Sequence, residues 1–503
     1  MLGKACSAAV TGIRAELIEV EADISAGIPY FDMTGNLSGT AREARDRVRT
    51  AIRNSGINLR PARITVNLAP AQLRKEGAHY DLAVGVAVLC AEGIIEQEKA
   101  DGTLIIGELG LDGSVNPVSA VLPMVMQGVQ EGIRNFIVPE GNQKEAGYVG
   151  DIHVVGVRNL KECVTYLRTG DEPEHEEITA THSPADEPVY SGFDAIKGQQ
   201  ALKRAMMIAA AAMHNILLIG PPGSGKSMAA AALPGIMPPL SRDEQLEISE
   251  IYSVAGLLSG GEGFVVNRPF RAPHHSTGRA ALTGGGGNPM PGEMSLAEHG
   301  VLFLDEFNLM DPQAVESLRE PLETGHITLN RLKKTVEYPA DFMLVAAMNP
   351  CRCGFYPDRT RCHCSEGDIE RYFGRISRPI MDRIDMCIQV PRVSFDQIEV
   401  GDSGRYTEKF MKERVQNAVM IQRIRYKDER FSLNSGLSSQ DIPRYCPMTD
   451  KARELLKCAF DRLGMSVRSY YRTVRVARTI ADIDEKEIID EKHMAEAIGY
   501  KGR

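Results

Sequence analysis

The chain of 503 residues has no tryptophan, few aromatic residues and no long apolar run. Because no stretch reaches the roughly 20 apolar residues needed to cross a bilayer, we expect no membrane span. The N-terminus lacks an uninterrupted apolar core, since charges return at Arg14, Glu16 and Glu19, so we expect no secretory signal peptide. The composition, 43% hydrophobic and 25% charged, is that of a soluble globular protein, and we expect a cytoplasmic location.

A disulfide framework and an overall basic charge are also missing. The ten cysteines are scattered singly except for one cluster, which favours reduced thiols and one metal-type site. The net charge of −9 gives no overall attraction to nucleic acid. The charge is uneven, however: residues 161–190 carry 8 acidic and 2 basic side chains, whereas residues 401–480 carry 17 basic and 9 acidic ones. An anionic partner would prefer the second region.

The chain divides at an acidic segment with three prolines, residues 169–191, which we interpret as a linker. Residues 1–168 contain both strand and helix patterns and form a predicted α+β domain. In residues 192–395, apolar strands alternate with helices, which predicts an α/β core with a parallel sheet. Residues 396–503 consist mostly of long amphipathic or basic helical segments and resemble a helical lid.

The strongest motif is a phosphate-binding loop. The segment HNILLIGPPGSGKSMAAAAL places G-x-x-x-x-G-K-S after an apolar strand and before an alanine-rich helix. Its glycines let backbone N–H groups turn inward around phosphate, Lys226 can reach the β and γ phosphates, and Ser227 can ligate magnesium. This predicts ATP and Mg²⁺ as cofactors. The predicted nucleotide-binding residues are Gly220, Pro221, Pro222, Gly223, Ser224, Gly225, Lys226 and Ser227.

Two later strands carry the remaining predicted catalytic groups. The buried strand GVLFLDEF ends in Asp305 and Glu306, the acidic pair expected to accompany such a loop. Asp305 would hold magnesium through water, and Glu306 would polarise the attacking water. A further strand, DFMLVAAMNP, ends in Asn349, which would orient the water or sense the γ-phosphate.

The cluster CRCGFYPDRTRCHC, residues 351–364, places four cysteines in two C-x-C pairs. Four soft thiolates from two short turns suit tetrahedral zinc, which would fold a loop that its few apolar residues cannot hold. Free or redox-active thiols are the alternative, and His363 is an alternative ligand. We interpret the site as structural. The predicted zinc ligands are Cys351, Cys353, Cys362 and Cys364.

Three segments together resemble the ComM/YifB family of magnesium-chelatase-like AAA+ ATPases, and the match runs nearly end to end. The resemblance implies a Lon-protease-like domain, an AAA+ core and a helical lid, in that order. It further implies homo-hexameric rings, ATP hydrolysis at subunit interfaces and branch migration of DNA during natural transformation. The segments are GQQALKRAMMIAAAAMHNILLIGPPGSGKS, RPFRAPHHSTGRAALTGGGGNPMPGEMSLAEHGVLFLDEF and ISRPIMDRIDM.

The resemblance also assigns two arginines. Arg383 in the DRID segment matches the arginine finger, which reaches the γ-phosphate of the neighbouring subunit. Arg468 is the best match for the sensor 2 arginine, with Arg472 as the near alternative. The chain departs from the family pattern at Arg378, where a glycine is expected, and this leaves open which arginine is the finger. For each arginine, the alternative is a solvated or salt-bridged lid residue.

Two segments are candidate contacts for DNA. In EPLETGHITLNRLKKTVEYPADF, two strand-like halves flank a basic tip, and the family places such a hairpin at the central pore. Arg331, Lys333 and Lys334 would then contact phosphates without reading sequence. The alternative is an ordinary solvated charged turn.

The second candidate is the glycine-rich segment RAPHHSTGRAALTGGGGNPMPGEM, which resembles the helix-2 insert of this clade. Arg271 and Arg279 are its candidate DNA contacts. The adjacent His274 and His275 could bind metal, but a histidine pair alone gives too weak a signal to include in a metal site.

The N-terminal domain resembles the Lon-type protease domain but lacks its serine and lysine dyad. The chain has Ala78, His79, Tyr80 and Asp81 in the first region and VNPVSAV in the second, so we expect a non-proteolytic scaffold. The leading hypothesis is therefore an ATP-driven hexameric DNA motor. A chelatase-type ATPase that remodels a protein partner is the second hypothesis, and an ATP-dependent protease is the third.

Overall fold

The computed structural model describes residues 2–174, 192–258, 264–287, 289–331, 334–393 and 404–501, without the side chains of Arg331 and Lys334. These residues form two compact units. The first contains the described residues up to 174 together with those between 242 and 266, and the second contains the rest. Most of the predicted acidic linker, the start of the predicted lid and Lys333 lie outside the described residues.

The first unit is built on a mixed sheet. Its strands are β1 (Leu2–Thr11), β2 (Arg14–Ser25), β3 (Tyr30–Thr34), β4 (Arg63–Ala69), β5 (Thr103–Ile105), β6 (Glu108–Leu109), β7 (Val115–Asn116), β8 (Asn135–Pro139) and β9 (His153–Val157). Seven strands form one sheet in the order β3-β4-β2-β1-β5-β8-β9, and β6 pairs with β7. β1 and β2 are antiparallel along their whole length, whereas β5, β8 and β9 are parallel.

A central helix organises the core of this unit. Residues 81–91 of the helix Asp81–Glu92 are all buried, as expected for a helix that is apolar on every side. Gly3 allows the helix to approach β1, because a Cβ at this position would lie 2.2 Å from the backbone oxygen of Ala87. The helices of the unit are Gly39–Asn54, Asp81–Glu92, Gln97–Ala100, Val121–Gln130, Gln143–Gly147, Leu160–Thr169 and Arg242–Val254.

The last of these helices lies within residues 192–395, the predicted ATPase core, yet it packs in the first unit. Ser253 accepts a backbone hydrogen bond from Ala120 at 2.9 Å and donates its hydroxyl to the buried carboxylate of Glu145. Farther along, Phe264 stacks on Tyr148 with ring centroids 3.2 Å apart. The chain therefore returns from the second unit to complete the first.

The second unit contains a parallel sheet, as predicted. Its strands are β10 (Ile216–Ile219), β11 (Phe270–Arg271), β12 (Gly284–Gly285), β13 (Met290–Pro291), β14 (Val301–Leu304), β15 (His326–Arg331), β16 (Lys334–Pro339), β17 (Met343–Met348) and β18 (Met386–Gln389). Five strands pair in the order β11-β14-β17-β10-β18, and every neighbouring pair is parallel. β15 and β16 form the predicted antiparallel hairpin.

The C-terminal helices pack onto this same sheet. Val345 and Met386 of the sheet share one buried cluster with Val474 and Ile480 of the helix Val467–Ile483, so the predicted lid belongs to the same compact unit as the core. No described helix is both long and apolar enough to span a bilayer. The helices of the second unit are Gln200–Ala212, Lys226–Ile236, Arg279–Thr283, Glu293–Leu296, Pro312–Glu316, Pro321–Thr324, Glu366–Phe373, Arg378–Met381, Glu408–Arg425, Ile442–Tyr445, Asp450–Leu463, Val467–Ile483 and Glu491–Gly499.

Candidate nucleotide and metal sites

The loop between β10 and the helix Lys226–Ile236 has the backbone that phosphate binding requires. Gly223 and Gly225 have φ angles of +73° and +91°, in the left-handed region that favours glycine. A Cβ on Gly220 would lie 2.3 Å from the backbone oxygen of Val390, so this position also requires glycine. The loop ends at the N-terminus of an 11-residue helix, whose free N–H groups and dipole attract anions.

Lys226 is buried and held over this loop. Its ammonium donates to the backbone oxygens of Gly220 at 2.7 Å and Pro221 at 3.0 Å. Burial lowers the pKa of Lys226, and the carboxylate of Asp305 partly opposes this shift. Phosphate oxygens are stronger acceptors than neutral carbonyls, so the ammonium is placed to exchange these bonds for bonds to a nucleotide.

The two predicted magnesium ligands lie together. The hydroxyl of Ser227 donates to Oδ2 of Asp305 at 3.0 Å, and the backbone N–H of Glu306 donates to Oδ1 of Asp305 at 2.8 Å. Glu306 has a φ angle of +49°, a strained backbone for a non-glycine residue. Asn349 follows β17, the strand beside β14, so it reaches the same edge of the sheet as the acidic pair.

These groups surround a cleft of about 740 Å³, within the range of small-molecule sites. The hydroxyl of Ser224 is buried and has no hydrogen-bond partner among the described residues, which suits a site that takes a polar ligand. The sequence prediction did not include Lys197, Gln199 and Arg392, which also line the cleft. Gln199 carries no motif, yet its side-chain amide donates to the backbone oxygen of Ser224 at 3.1 Å.

His275 contacts the acidic pair, a role that the sequence did not indicate. Its Nδ1 lies 3.2 Å from Oε2 of Glu306, and both side chains are partly exposed. The neighbouring His274 instead accepts from or donates to Ser276 through its own ring nitrogen, at 2.8 Å. The sequence shows the histidine pair, but it does not show that His275 contacts Glu306, which lies 31 residues farther along the chain.

Arg383 lies outside the nucleotide cleft and is buried against its own chain. Its guanidinium donates to the backbone oxygens of Arg319 at 3.2 Å and Pro379 at 2.8 Å, and it forms a close ion pair with Glu323. Its side chain is 8% exposed. Arg378, the departure from the family pattern, begins the short helix Arg378–Met381 and is exposed.

The structure brings Arg468 to the same carboxylate as Arg383. Arg468 Nη2 lies 3.0 Å from Oε1 of Glu323, and the Arg468 side chain is 58% exposed. Arg472, the alternative, is mostly buried and donates to the backbone oxygen of Ile384 at 3.2 Å. A second cleft of about 510 Å³ contains this group and shares no described lining residue with the first. Its charged lining residues are Glu323, Asp341, Arg383, Asp385, Arg430, Arg468, Arg472 and Arg475.

The four cysteines converge as predicted for a metal site. All four sulfur atoms lie within 4.8 Å of one another. Cys351 Sγ is 3.3 Å from that of Cys353 and 3.7 Å from that of Cys362. Four sulfurs at about 2.3 Å from a tetrahedral zinc ion would be about 3.8 Å apart, so the donor set and its spacing fit zinc. His363 is exposed and is not in this group.

The surroundings of Cys353 also favour a metal ligand. Desolvation opposes ionisation of its thiol, but the backbone N–H of Phe355 and the neighbouring thiols lower the pKa of Cys353 to about 7. The thiolate is the form that binds metal. The loop has a small apolar core, in which Cys351, Cys362 and Ile369 are buried and Tyr356, Cys364 and Phe373 pack against them.

The candidate DNA contacts differ in their surroundings. Arg271 forms two bonds to Glu293, at 2.7 and 2.8 Å, so its charge is already compensated. Arg279 is exposed at the start of the helix Arg279–Thr283. The side chains of Arg331 and Lys334 and the whole of Lys333 lie outside the described residues.

A five-stranded parallel sheet with a phosphate-binding loop at one strand end and an acidic pair at another defines a P-loop nucleotide-binding protein. Family models agree with this class. "Magnesium chelatase, subunit ChlI" matches residues 192–398, "Magnesium chelatase, subunit ChlI C-terminal" matches residues 406–501, and "Subunit ChlI of Mg-chelatase" matches residues 20–142.

Several relatives match over nearly the full length. The chain is 38% identical to competence protein ComM of Haemophilus influenzae and 37% identical to the uncharacterised protein YifB of Escherichia coli, in each case over 98% of this chain and 96% of the relative. The magnesium-chelatase 67 kDa subunit of Heliobacterium mobile is 30% identical over 40% of this chain and 34% of its own length. The chain belongs to the ComM/YifB family of magnesium-chelatase-like AAA+ ATPases.

Proposed function

We propose that this chain is an ATP-driven motor that acts on DNA as a ring of six copies. The proposed ring is supported by one observation: the predicted catalytic residues are divided between two clefts. Lys226, Asp305 and Glu306 line one, whereas Arg383 and Arg468 line the other. A head-to-tail ring would bring the second cleft of one subunit to the first cleft of the next.

Within one subunit, the geometry of the cleft supports the predicted roles. Lys226 binds the β and γ phosphates, and Ser227 with Asp305 holds Mg²⁺, which supplies charge compensation when it is bound. Glu306 orients and polarises the attacking water, and Asn349 senses the γ-phosphate. The contact between His275 and Glu306 would restrain the carboxylate.

Across the interface, Arg383 would stabilise the charge that develops on the transferred phosphoryl group of the neighbouring subunit, with Arg468 as a second cation. Glu323 holds the two guanidinium groups side by side in the subunit. Their positive charges suit a triphosphate, because guanidinium binds phosphate oxygens through two parallel hydrogen bonds.

DNA is the proposed track because of the hairpin, the lid and one relative's name. The sequence between and at the adjoining ends of β15 and β16 contains Arg331, Lys333 and Lys334. Residues 401–480 are basic, and a full-length relative is named a competence protein. The first unit is proposed as a Lon-protease-like scaffold without proteolytic activity. The four cysteines are proposed to hold a structural zinc ion beside the nucleotide cleft.

The experiment measures the ATPase rate while single-stranded, duplex and four-way-junction DNA are titrated in at fixed salt. We expect stimulation by one form, which weakens as salt rises because binding releases counterions. The Lys226→Ala variant is the negative control and should show neither basal nor stimulated turnover. A second variant replaces Arg331, Lys333 and Lys334 by serine and should lower both the stimulation and the salt dependence. Basal hydrolysis that no DNA changes would refute the DNA motor.

The alternative is a chelatase-type ATPase that remodels a protein partner. It is favoured by the family models, all three of which are named for a magnesium-chelatase subunit. The test is metal insertion into a porphyrin in a reconstituted mixture with and without this chain. Insertion that requires the chain and fails with Lys226→Ala would support this alternative over the DNA motor.

A further inference from the structure

The cysteine cluster and the nucleotide cleft are joined by a very short piece of chain. Asn349, at the end of β17, lines the cleft, and Cys351, two residues later, belongs to the sulfur cluster. Gly354 then closes a tight turn, because its backbone N–H donates to the carbonyl of Cys351 at 3.0 Å. Any change in the position of these sulfurs therefore acts on a turn that begins at the nucleotide site.

The same turn contacts the phosphate-binding loop. Gly354 has a φ angle of +81°, and a Cβ at this position would lie 2.9 Å from Cδ and 3.5 Å from Cγ of Pro222. Pro222 is itself a lining residue of the nucleotide cleft and directly precedes Gly223. The cysteine turn and the phosphate-binding loop are thus packed so closely that there is no room for even a methyl group between them.

The turn has a small apolar core. Two of its three buried members are the cysteines Cys351 and Cys362, the third is Ile369, and Tyr356, Cys364 and Phe373 pack against them while partly buried. Cys353 is exposed. Because two of the three buried members are themselves cysteines, bonds between the four sulfurs and a metal ion would tie this small core together and fix the turn.

We propose that the four-cysteine site regulates nucleotide binding: metal at the cysteines fixes the turn that holds Gly354 against Pro222, and this holds the phosphate-binding loop in its binding conformation. Loss of the metal releases the turn and weakens nucleotide binding. Because coupling between two binding sites is reciprocal, bound nucleotide strengthens metal binding by the same factor. The inference rests on the proposed function, since it takes nucleotide at the loop and zinc at the cysteines.

The test uses the full chain and two binding measurements, neither of which requires turnover. The first is the Kd of a fluorescent ATP analogue in excess Mg²⁺, before and after zinc is removed with a zinc-selective chelator. The second is the Kd for zinc with and without the analogue. We expect zinc removal to raise the nucleotide Kd by about fivefold or more, and the analogue to lower the zinc Kd by the same factor.

Two substitutions separate the contact from the metal. Gly354→Ala keeps all four thiols but drives a methyl group into Pro222, so it should retain one zinc ion per chain and bind the analogue more weakly. The matched control is Gly132→Ala, which has a similar φ angle of +88° and no atom within 4 Å of the added Cβ, and which should bind the analogue normally. Cys362→Ser should lose zinc and bind the analogue as the chelated wild type does.

An unchanged nucleotide Kd after zinc removal would overturn the inference, as would wild-type affinity in Gly354→Ala. The chelation experiment is independent of the variants, so it decides the matter if Gly354→Ala does not fold. Failure of the underlying function gives a different result, because a wild-type protein that binds no nucleotide, or no zinc, refutes the assignment of that site itself.

Discussion

Arg383 is bonded to its own chain, yet its proposed role lies across a subunit boundary. The two roles are separated by mixing two inactive variants, Arg383→Ala and Glu306→Gln. In a head-to-tail ring that contains both variants, an intact site forms where the cleft of an Arg383→Ala subunit meets Arg383 of a neighbouring Glu306→Gln subunit. If Arg383 acts only within its own chain, then no combination of these subunits contains an intact site.

The expected magnitudes follow from the structure and from simple statistics. Alone, Arg383→Ala should retain roughly one thousandth of wild-type turnover, the lower end of the usual value of an arginine finger. In an equal mixture, each of the two required subunits is present with a probability of one half, so about one quarter of the sites are intact and turnover recovers to about one quarter of wild type. Because Arg383 is 8% exposed and bonded to Glu323, its removal should also lower the free energy of unfolding by about 1 to 3 kcal/mol.

The assay is steady-state ATP hydrolysis at a series of mixing ratios and constant total protein. Recovery should follow the product of the two subunit fractions and peak at equal amounts. The matched control mixes Glu306→Gln with Lys226→Ala, since both changes lie in the same cleft and no intact site can form. If the first mixture stays as inactive as the control while labelled subunits exchange between rings, then Arg383 does not act in trans and its contacts with Glu323 are structural.

Three further predictions concern single residues. Glu323→Gln removes the negative charge that Arg383 and Arg468 share, so the melting temperature and the turnover should fall while the Kd for the ATP analogue stays within about twofold. An equal fold change in turnover and in this Kd would contradict a positioning role for Glu323. His275→Ala frees Glu306, so the basal ATPase rate should rise and its ratio to the DNA-stimulated rate should increase; a lower basal rate would contradict the restraint. Burial lowers the pKa of His79 from 6.5 to about 4, so the unfolded chain binds the proton first as pH falls. The contribution of the neutral ring to the free energy of unfolding is therefore complete above about pH 6.5 and is lost between pH 6.5 and 4. Because the ring is partly buried, we expect the wild type to lose about 1 to 2 kcal/mol of unfolding free energy by pH 4.5 beyond any loss in His79→Gln, as measured by urea unfolding. An equal pH dependence of the unfolding free energy in both proteins would refute this prediction.

The parts of the site that the sequence predicted are those in which neighbouring residues determine the geometry. The phosphate-binding loop needs only a strand, a set of glycines and a helix within one short segment, and the cysteine pairs need only two turns. The ends of β14 and β17 meet because parallel strands point the same way. Each of these expectations required no knowledge of distant packing.

The remaining contacts join residues whose separation in sequence carries no pattern. Glu323 reaches Arg468 across 145 residues, and a contact of this kind depends on how the C-terminal helices pack onto the sheet. Periodicity shows that a helix has an apolar face but not which surface covers it, so nothing in the sequence indicated that Arg242–Val254 packs in the first unit. β1 and β2 were not predicted, because the alanine-rich sequence of β1 has low strand propensity and its partner supplies the stability.

The return of residues 242–266 to the first unit bears on how the protein is made. A ribosome that has released the first 174 residues has not yet supplied Ser253, so the carboxylate of Glu145 lacks its hydroxyl partner at that point. By the time Ser253 emerges, the phosphate-binding loop has already been synthesised. The first unit therefore lacks one of its helices until after the phosphate-binding loop has been made, and a gene fragment cut at the acidic segment encodes a first unit without that helix.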